Sequence, residues 1–133
     1  MLTATITAMS QERGDNLIIV TMNSDNERDN LREVNKQLLA AGWSVANANM
    51  DFGFIETTRR PMARFNTHLV LHISVTYNKV HIRGQWFNER VFGENPQTLD
   101  FVRSRGNVQH EMWEETMKLV NSLSPESIEY KKQ

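Results

Sequence analysis

Apolar and polar residues alternate most regularly over residues 67–87, and this alternation predicts a β-hairpin. With Asn78-Lys79 as a two-residue loop, the apolar side chains of both strands fall on one face. We expect the following residues of that face to be buried: Leu71, Ile73, Val75, Ile82 and Trp86. We expect these residues of the opposite face to be much more exposed: His72, Ser74, His81 and Arg83.

Two longer helices are predicted, because apolar residues recur there every three or four positions. Ser24 and Glu27 form a capping-box pattern at the start of the first helix, and Gly42 is suited to end it. The second helix runs over about residues 108–123 and is followed by Ser124-Pro125. Both helices therefore have sequence signals at one or both ends.

The remaining segments are predicted to be short strands and connections. Three short strands are predicted: residues 17–22, 44–50 and 52–60. Asn95-Pro96 predicts the start of a short helix that ends at Gly106. Residues 3–8 fit either an additional strand or a loose terminus, and the pattern does not choose between the two.

This order of elements predicts an α+β fold, in which a two-layer, helix-grip-like arrangement carries both main helices on one face of an antiparallel sheet. The chain length and the lack of a linker-like segment favour a single domain over residues 17–123. Residues 1–16 would form an N-terminal segment, and residues 124–133 a loose C-terminal tail.

Charge is distributed unevenly, although the whole chain has a formal net charge of −1. Residues 57–88 carry five basic and no acidic residues, whereas residues 1–56 have a net charge of −4 and residues 89–133 one of −2. The five bases are Arg59, Arg60, Arg64, Lys79 and Arg83. One sheet face should therefore be basic, either because it binds an anionic partner or because it is simply solvated.

The sequence offers no catalytic or metal-binding pattern. The chain has no cysteine, which excludes disulfides, thiolate zinc sites and cysteine nucleophiles. His68 and His72 would lie about 13 Å apart on one strand, too far to ligate the same metal. His110 begins an HEMWE stretch that lacks the second histidine of a zinc-binding helix. We therefore predict no catalytic residue, no metal and no cofactor.

Aromatic residues offer two further candidate sites. Trp86 on the apolar hairpin face and Trp113 on the last helix would meet in the core, or line an apolar pocket between sheet and helix. Phe54 and Phe87 fall on the polar sides of their strands. There they would stack on a ligand, or be covered by the N-terminal segment or by a dimer partner.

Four features form a pattern of core positions: LLAAGW at 38–43, GFIET at 53–57, VHIRGQW at 80–86, and Trp113. This pattern, spread over about residues 17–123, resembles the helix-grip or TATA-binding-protein-like domains of small bacterial envelope lipoproteins, including BamC. The resemblance implies a scaffolding or interaction domain without catalytic residues. The chain departs from such precursors in having no lipobox cysteine.

We interpret the chain as a non-enzymatic binding module, the soluble domain of a bacterial envelope lipoprotein, whose basic sheet face meets an anionic partner. The candidate binding residues are Arg59, Arg60, His72, His81, Arg83 and Gln85. The alternative is a small-ligand-binding helix-grip domain with its apolar pocket at Trp86 and Trp113.

The expected partner is a protein or an anionic surface. Membrane association through a lipid anchor outside this sequence is an open alternative, and so is homodimer formation. A sequence pI of about 6.4 and a cluster of only five bases argue against nucleic acid. The expected location is the periplasm or envelope if a leader has been removed, and the cytoplasm otherwise.

Overall fold

The computed structural model describes residues 7–8, 10–62 and 66–133. These residues form nine strands and three helices. In chain order the elements are β1 (Thr7–Ala8), β2 (Leu17–Thr21), α1 (Glu27–Ala40), β3 (Val45–Asn49), β4 (Phe54–Thr57), β5 (Arg60–Pro61), β6 (Thr67–Thr76), β7 (Lys79–Asn88), α2 (Glu89–Phe92), β8 (Gln97–Thr98), α3 (Val108–Ser122) and β9 (Ser127–Lys131).

The strands pair into one sheet in the order β1-β9-β2-β7-β6-β4-β3, with β5 beside β6 and β8 beside β7. The strand pairs are antiparallel, except that β1 runs parallel to β9. The predicted α+β class is confirmed. The two residues of β1 fall within the segment for which a strand or a loose terminus was predicted, and residues 3–6 lie outside the described residues.

One hydrophobic core contains residues from the two long helices and from the strands of the sheet. Burial of this apolar surface is the main stabilising contribution to such a domain. The helices supply Leu31, Val34 and Leu38 from α1, and Met112, Leu119 and Val120 from α3. The sheet supplies alternate residues of its strands, including the four aliphatic residues predicted for the hairpin core, which are at most 2% exposed.

The hairpin of β6 and β7 has the predicted faces, but its loop is one residue earlier than predicted. Thr76 pairs with Lys79, so the loop is Tyr77-Asn78, and Tyr77 takes a positive φ of 53°. Long-range hydrogen bonds hold this turn: the Asn30 amide donates to the Tyr77 carbonyl at 2.9 Å, and the Tyr77 N–H donates to Glu27 Oε1 at 3.0 Å. Local turn preferences could not reveal these contacts with α1.

The start of α1 differs from the prediction, whereas its end agrees. Asn26, not Ser24, is the N-cap, and its side chain accepts a hydrogen bond from the Asp29 N–H at 3.0 Å. Glu27 does not complete a capping box, because its carboxylate accepts from Tyr77. Gly42 has a φ of 85°, and the N–H of the next residue, Trp43, donates to the Leu38 carbonyl at 2.9 Å. This is the expected helix end at a glycine.

The connection after β7 contradicts the predicted helix between Asn95-Pro96 and Gly106. The short helix α2 comes earlier, with Asn88 as its N-cap, and residues 97–98 form β8. The chain stays extended there because it pairs along β7: the Leu99 N–H donates to the Gly84 carbonyl at 2.9 Å. Leu99 is 1% exposed and packs on Gly84. A side chain at position 84 would clash with Leu99.

The predicted loose C-terminal tail is wrong, because Ser127–Lys131 forms β9 between β1 and β2. Ile128 and Tyr130 point into the core and are 4% and 9% exposed. The alternation of apolar and polar residues over only five positions was too short to predict a strand on its own. This strand places Lys131 and Gln133 beside the sheet face described next.

Candidate binding face

The candidate site is the sheet face that points away from the core, here called the outer face. Strand register places His81 between Ile19 of β2 and Ser74 of β6, and places Arg83 directly opposite His72. His72, Ser74 and His81 are partly exposed and Arg83 is exposed, as predicted. The sequence therefore identified the face on which these side chains meet.

Two grooves run along the outer face. The first, here called the basic groove, has a volume of about 510 Å³ and is lined by Leu17, Ile19, Phe54, His72, Ile73, Ser74, Thr76, His81, Arg83, Lys131 and Gln133. The second, here called the polar groove, has a volume of about 670 Å³ and contains Gln85, Thr98 and Asp100. The two grooves share His72, Arg83 and Gln133. Among the described lining residues, the basic groove has no acidic side chain.

Hydrogen bonds fix the side chains at the junction of the grooves. The His72 Nε2 atom lies 2.9 Å from Gln85 Oε1, and its ring is tilted against Phe54 with 6.5 Å between centroids. The Arg83 guanidinium donates to the side-chain oxygen of Gln133. Gln133 is held in turn by Asn16 through two hydrogen bonds of 3.0 Å. The junction is thus pre-organised around Arg83.

The electrostatics of the basic groove are dominated by cations around His81. Burial lowers the pKa of His81 below its usual value of 6.5, and the positive charges of Arg83, Lys131 and Lys79 lower that pKa further. The neutral form of His81 is therefore favoured in the free protein. The amino group of Lys79 donates to Thr21 Oγ1 at 2.6 Å, which holds the lysine over the same face.

Arg59 lies near the outer face but has two acidic partners. Its guanidinium sits 4.0 Å from the ring centroid of Phe87 and lies 3.4 Å from Glu89 and 3.3 Å from Glu94. Phe87 is 8% exposed, so it is covered rather than available for stacking. Arg59 therefore adds little positive charge for a partner.

Arg60 is on the other side of the sheet, so it does not join the predicted binding face. Its guanidinium donates to the Ala41 carbonyl at 3.0 Å, pairs with Glu115 of α3 at 3.0 Å and lies over the Trp43 ring at 4.6 Å. The alternation of faces is interrupted between β4 and β5, so Arg60 lies opposite the core residue Leu69 and points to the core side of the sheet, not to the outer face as expected. Arg64 lies outside the described residues.

The two tryptophans of the predicted apolar pocket have different neighbours. Trp113 is 3% exposed, and its ring contacts Phe101 and Tyr130 at centroid distances of 5.5 and 6.2 Å. Trp86 is only half-buried and packs edge-on against Phe92 at 5.5 Å. Trp86 lines a shallow groove of about 350 Å³ beside the start of α3, whose described lining does not include Trp113.

His110 is engaged at both ring nitrogens. Nδ1 lies 2.8 Å from the Val102 carbonyl, and Nε2 lies 2.9 Å from a carboxylate oxygen of Glu114. Neither nitrogen is thus directed at an open ligand position. Within the described part of the chain, no group of three or more histidine and acidic residues has metal-binding geometry.

Several groove residues were missed by the sequence reasoning. Lys131 and Gln133 fell in the segment predicted to be a loose tail, and Asn16, Leu17 and Ile19 precede the basic stretch. The alternation of Ile128 and Tyr130 with polar residues is consistent with Lys131 on the outer face, but over five positions it is too short a signal to predict this placement. The basic stretch is therefore only part of the site.

Comparison with known proteins adds no family assignment. No protein-family model matches the chain, and no curated protein matches it significantly in sequence. Among the described helices, none has the length and apolar character needed to cross a bilayer. The function must therefore be argued from the geometry of the outer face.

Proposed function

We propose that this protein is a non-enzymatic binding module that holds an anionic partner on the outer face of its sheet. The observation that carries the proposal is the convergence of Arg83, Lys131 and Lys79 on His81, beside a groove whose described lining has no acidic side chain. An anion there would accept charge-assisted hydrogen bonds from Arg83 and be attracted by both lysines. The polar groove, with Asp100 in its lining, is the less favourable place for an anion.

Arg83→Gln should weaken sulfate binding by roughly fivefold to tenfold, because it removes a charged hydrogen-bond donor. Adding Lys131→Gln should weaken it further. The measurement is an NMR titration that follows the backbone amides of β7 and β9 and the imidazole signals. Sulfate is a suitable probe because it keeps one charge state over the working pH range.

The matched control is Arg32→Gln with Lys36→Gln, which removes the same charges from exposed positions of α1. The control should leave sulfate affinity unchanged apart from a small loss at low salt. Equal losses in the two double variants would mean that only net charge matters, and would contradict the proposed site.

Sulfate affinity should rise by roughly twofold to fivefold as pH falls from about 7.5 to about 5.5. Free His81 has a lowered pKa because of burial and of Arg83, Lys131 and Lys79, and a bound anion would raise it again, so binding takes up a proton. The titratable groups nearest to His81 on this face also include His72 of β6, Glu56 of β4 and Glu129 of β9, while His68 of β6 lies farther along the face and Asp100 lines the polar groove.

The His81→Gln variant tests the source of this pH dependence. It should flatten the rise in affinity, whereas retention of the full rise would assign the effect to another group such as His72. The same lowered pKa affects the stability of the fold in the opposite direction. The unfolded chain binds a proton at His81 more readily than the folded chain does, so the contribution of His81 to stability decreases as pH falls through 6.5. Affinity and stability should therefore respond to pH in opposite directions.

We also propose that the protein is located in the periplasm or envelope and that its fold is a helix-grip arrangement. The resemblance to envelope lipoprotein domains supports a periplasmic interaction module, and it rests on LLAAGW, GFIET, VHIRGQW and Trp113. Fractionation of cells that express the native gene would test this location. Recovery of the protein in the cytoplasm alone would contradict it and leave the anion-binding face untouched.

A further inference from the structure

We infer that the basic groove takes an anion that carries an apolar body, aromatic or aliphatic, rather than a bare inorganic anion. This inference rests on the proposed function, because it names the class of ligand for the same groove. It goes further by assigning a second role, contact with the apolar part of the ligand, to side chains beside the cations.

Apolar side chains line part of the basic groove. Leu17, Ile19 and Phe54 line it together with the cations. Register places Ile19 directly beside His81, and Leu17 directly beside Lys131. Leu17 and the cationic Lys131 are thus neighbours across one strand pair, and Ile19 adjoins His81, so apolar, cationic and titratable side chains border the same groove.

Arg83 is the residue that would bind the charged group of the ligand. Arg83 donates to the neutral side-chain oxygen of Gln133, which also lines the groove. A sulfonate, phosphate or carboxylate is a stronger acceptor for a guanidinium than a carboxamide is. The anionic group would therefore displace Gln133 from Arg83, while the body of the ligand extends over Ile19 towards Phe54.

Burial of the apolar lining favours a free molecule over a membrane surface. Leu17 and Ile19 are only 2% and 8% exposed, so the apolar contact open to a partner comes mainly from the half-buried Phe54 ring, and the face has no broad apolar surface of the kind that a flat bilayer would need. The groove volume of about 510 Å³ is within the range of small-molecule sites. The half-buried Phe54 ring, tilted on His72, offers one wall for a planar body. The occupant that fits is a single amphipathic anion.

The test compares 2-naphthalenesulfonate with methanesulfonate, which has the same charged group and no apolar body. We expect 2-naphthalenesulfonate to bind the full chain at least about tenfold more tightly. Phe54→Ala should reduce that affinity by roughly threefold to tenfold and leave methanesulfonate binding unchanged. Phe54→Leu provides a second variant, should Phe54→Ala fail to fold. The matched control is Phe52→Ala, since Phe52 is 84% exposed and does not line the groove.

Each outcome separates this inference from the proposed function. Equal binding of the two sulfonates, lost in Arg83→Gln, would overturn the inference and keep the anion site. Binding of neither sulfonate nor sulfate would overturn both. Binding of 2-naphthalenesulfonate that survives Arg83→Gln, or that both Phe54 variants leave intact, would also overturn the inference. So would binding to phosphatidylglycerol vesicles without binding to either free sulfonate.

Discussion

Trp113→Ala should lower the free energy of unfolding by roughly 3–5 kcal/mol, which is the usual cost of removing a fully buried tryptophan. The Trp113 ring is 3% exposed and lies between Phe101 and Tyr130, so its loss would leave a cavity that these rings cannot fill without moving. It also joins α3 to β9, the strand that carries Lys131. Urea denaturation of purified protein would measure the change.

Trp86→Ala is the matched control, and it should cost less, roughly 1.5–3 kcal/mol. The same side chain is removed, but Trp86 is half-buried and has one aromatic neighbour, Phe92. The indole nitrogens of both tryptophans are buried, and neither has a hydrogen-bond partner in the described structure. The difference between the two variants would therefore report packing alone, and equal losses would contradict this account of the core.

The faces of the hairpin could be predicted from sequence because they depend on a period of two. The loop was placed one residue too late, yet that error shifts each cross-strand partner by two positions and so keeps every side chain on its face. This is why His72, His81 and Arg83 were correctly grouped despite the wrong register. The long helix α3 could also be predicted reliably, because its apolar pattern persists over several turns.

The rest of the site depends on contacts between distant parts of the chain. β9 brings Lys131 beside β2, one strand away from β7, and its five residues carry too short a pattern to predict a central strand. Arg59 and Arg60 belong to the basic stretch, but the acidic side chains that pair with them come from residues 89–115. Charge counted along the sequence therefore overestimated the number of cations available on the outer face, and it missed Lys131.

Gly53→Ala should destabilise the fold by at least about 3 kcal/mol, because backbone strain and a steric clash add together. Gly53 has a φ of 67°, and a Cβ atom there would lie 2.4 Å from the Val75 carbonyl oxygen. That oxygen belongs to the backbone of β6, and the Val75 N–H donates to the Gly53 carbonyl at 2.7 Å. The clash could be relieved only by moving β4 away from β6.

Gly42→Ala is the control for the strain alone. Gly42 has a similar positive φ of 85°, but the nearest atom to an added Cβ is Arg60 Nη1 at 3.9 Å, so the expected cost is only about 1 kcal/mol. Because Phe54 follows Gly53 and pairs with Ser74, a displaced β4 should also weaken 2-naphthalenesulfonate binding in any Gly53→Ala protein that still folds. Comparable stability losses in the two glycine variants would mean that β4 adjusts without strain, and the Phe54 wall of the basic groove would then have to be regarded as adaptable rather than fixed.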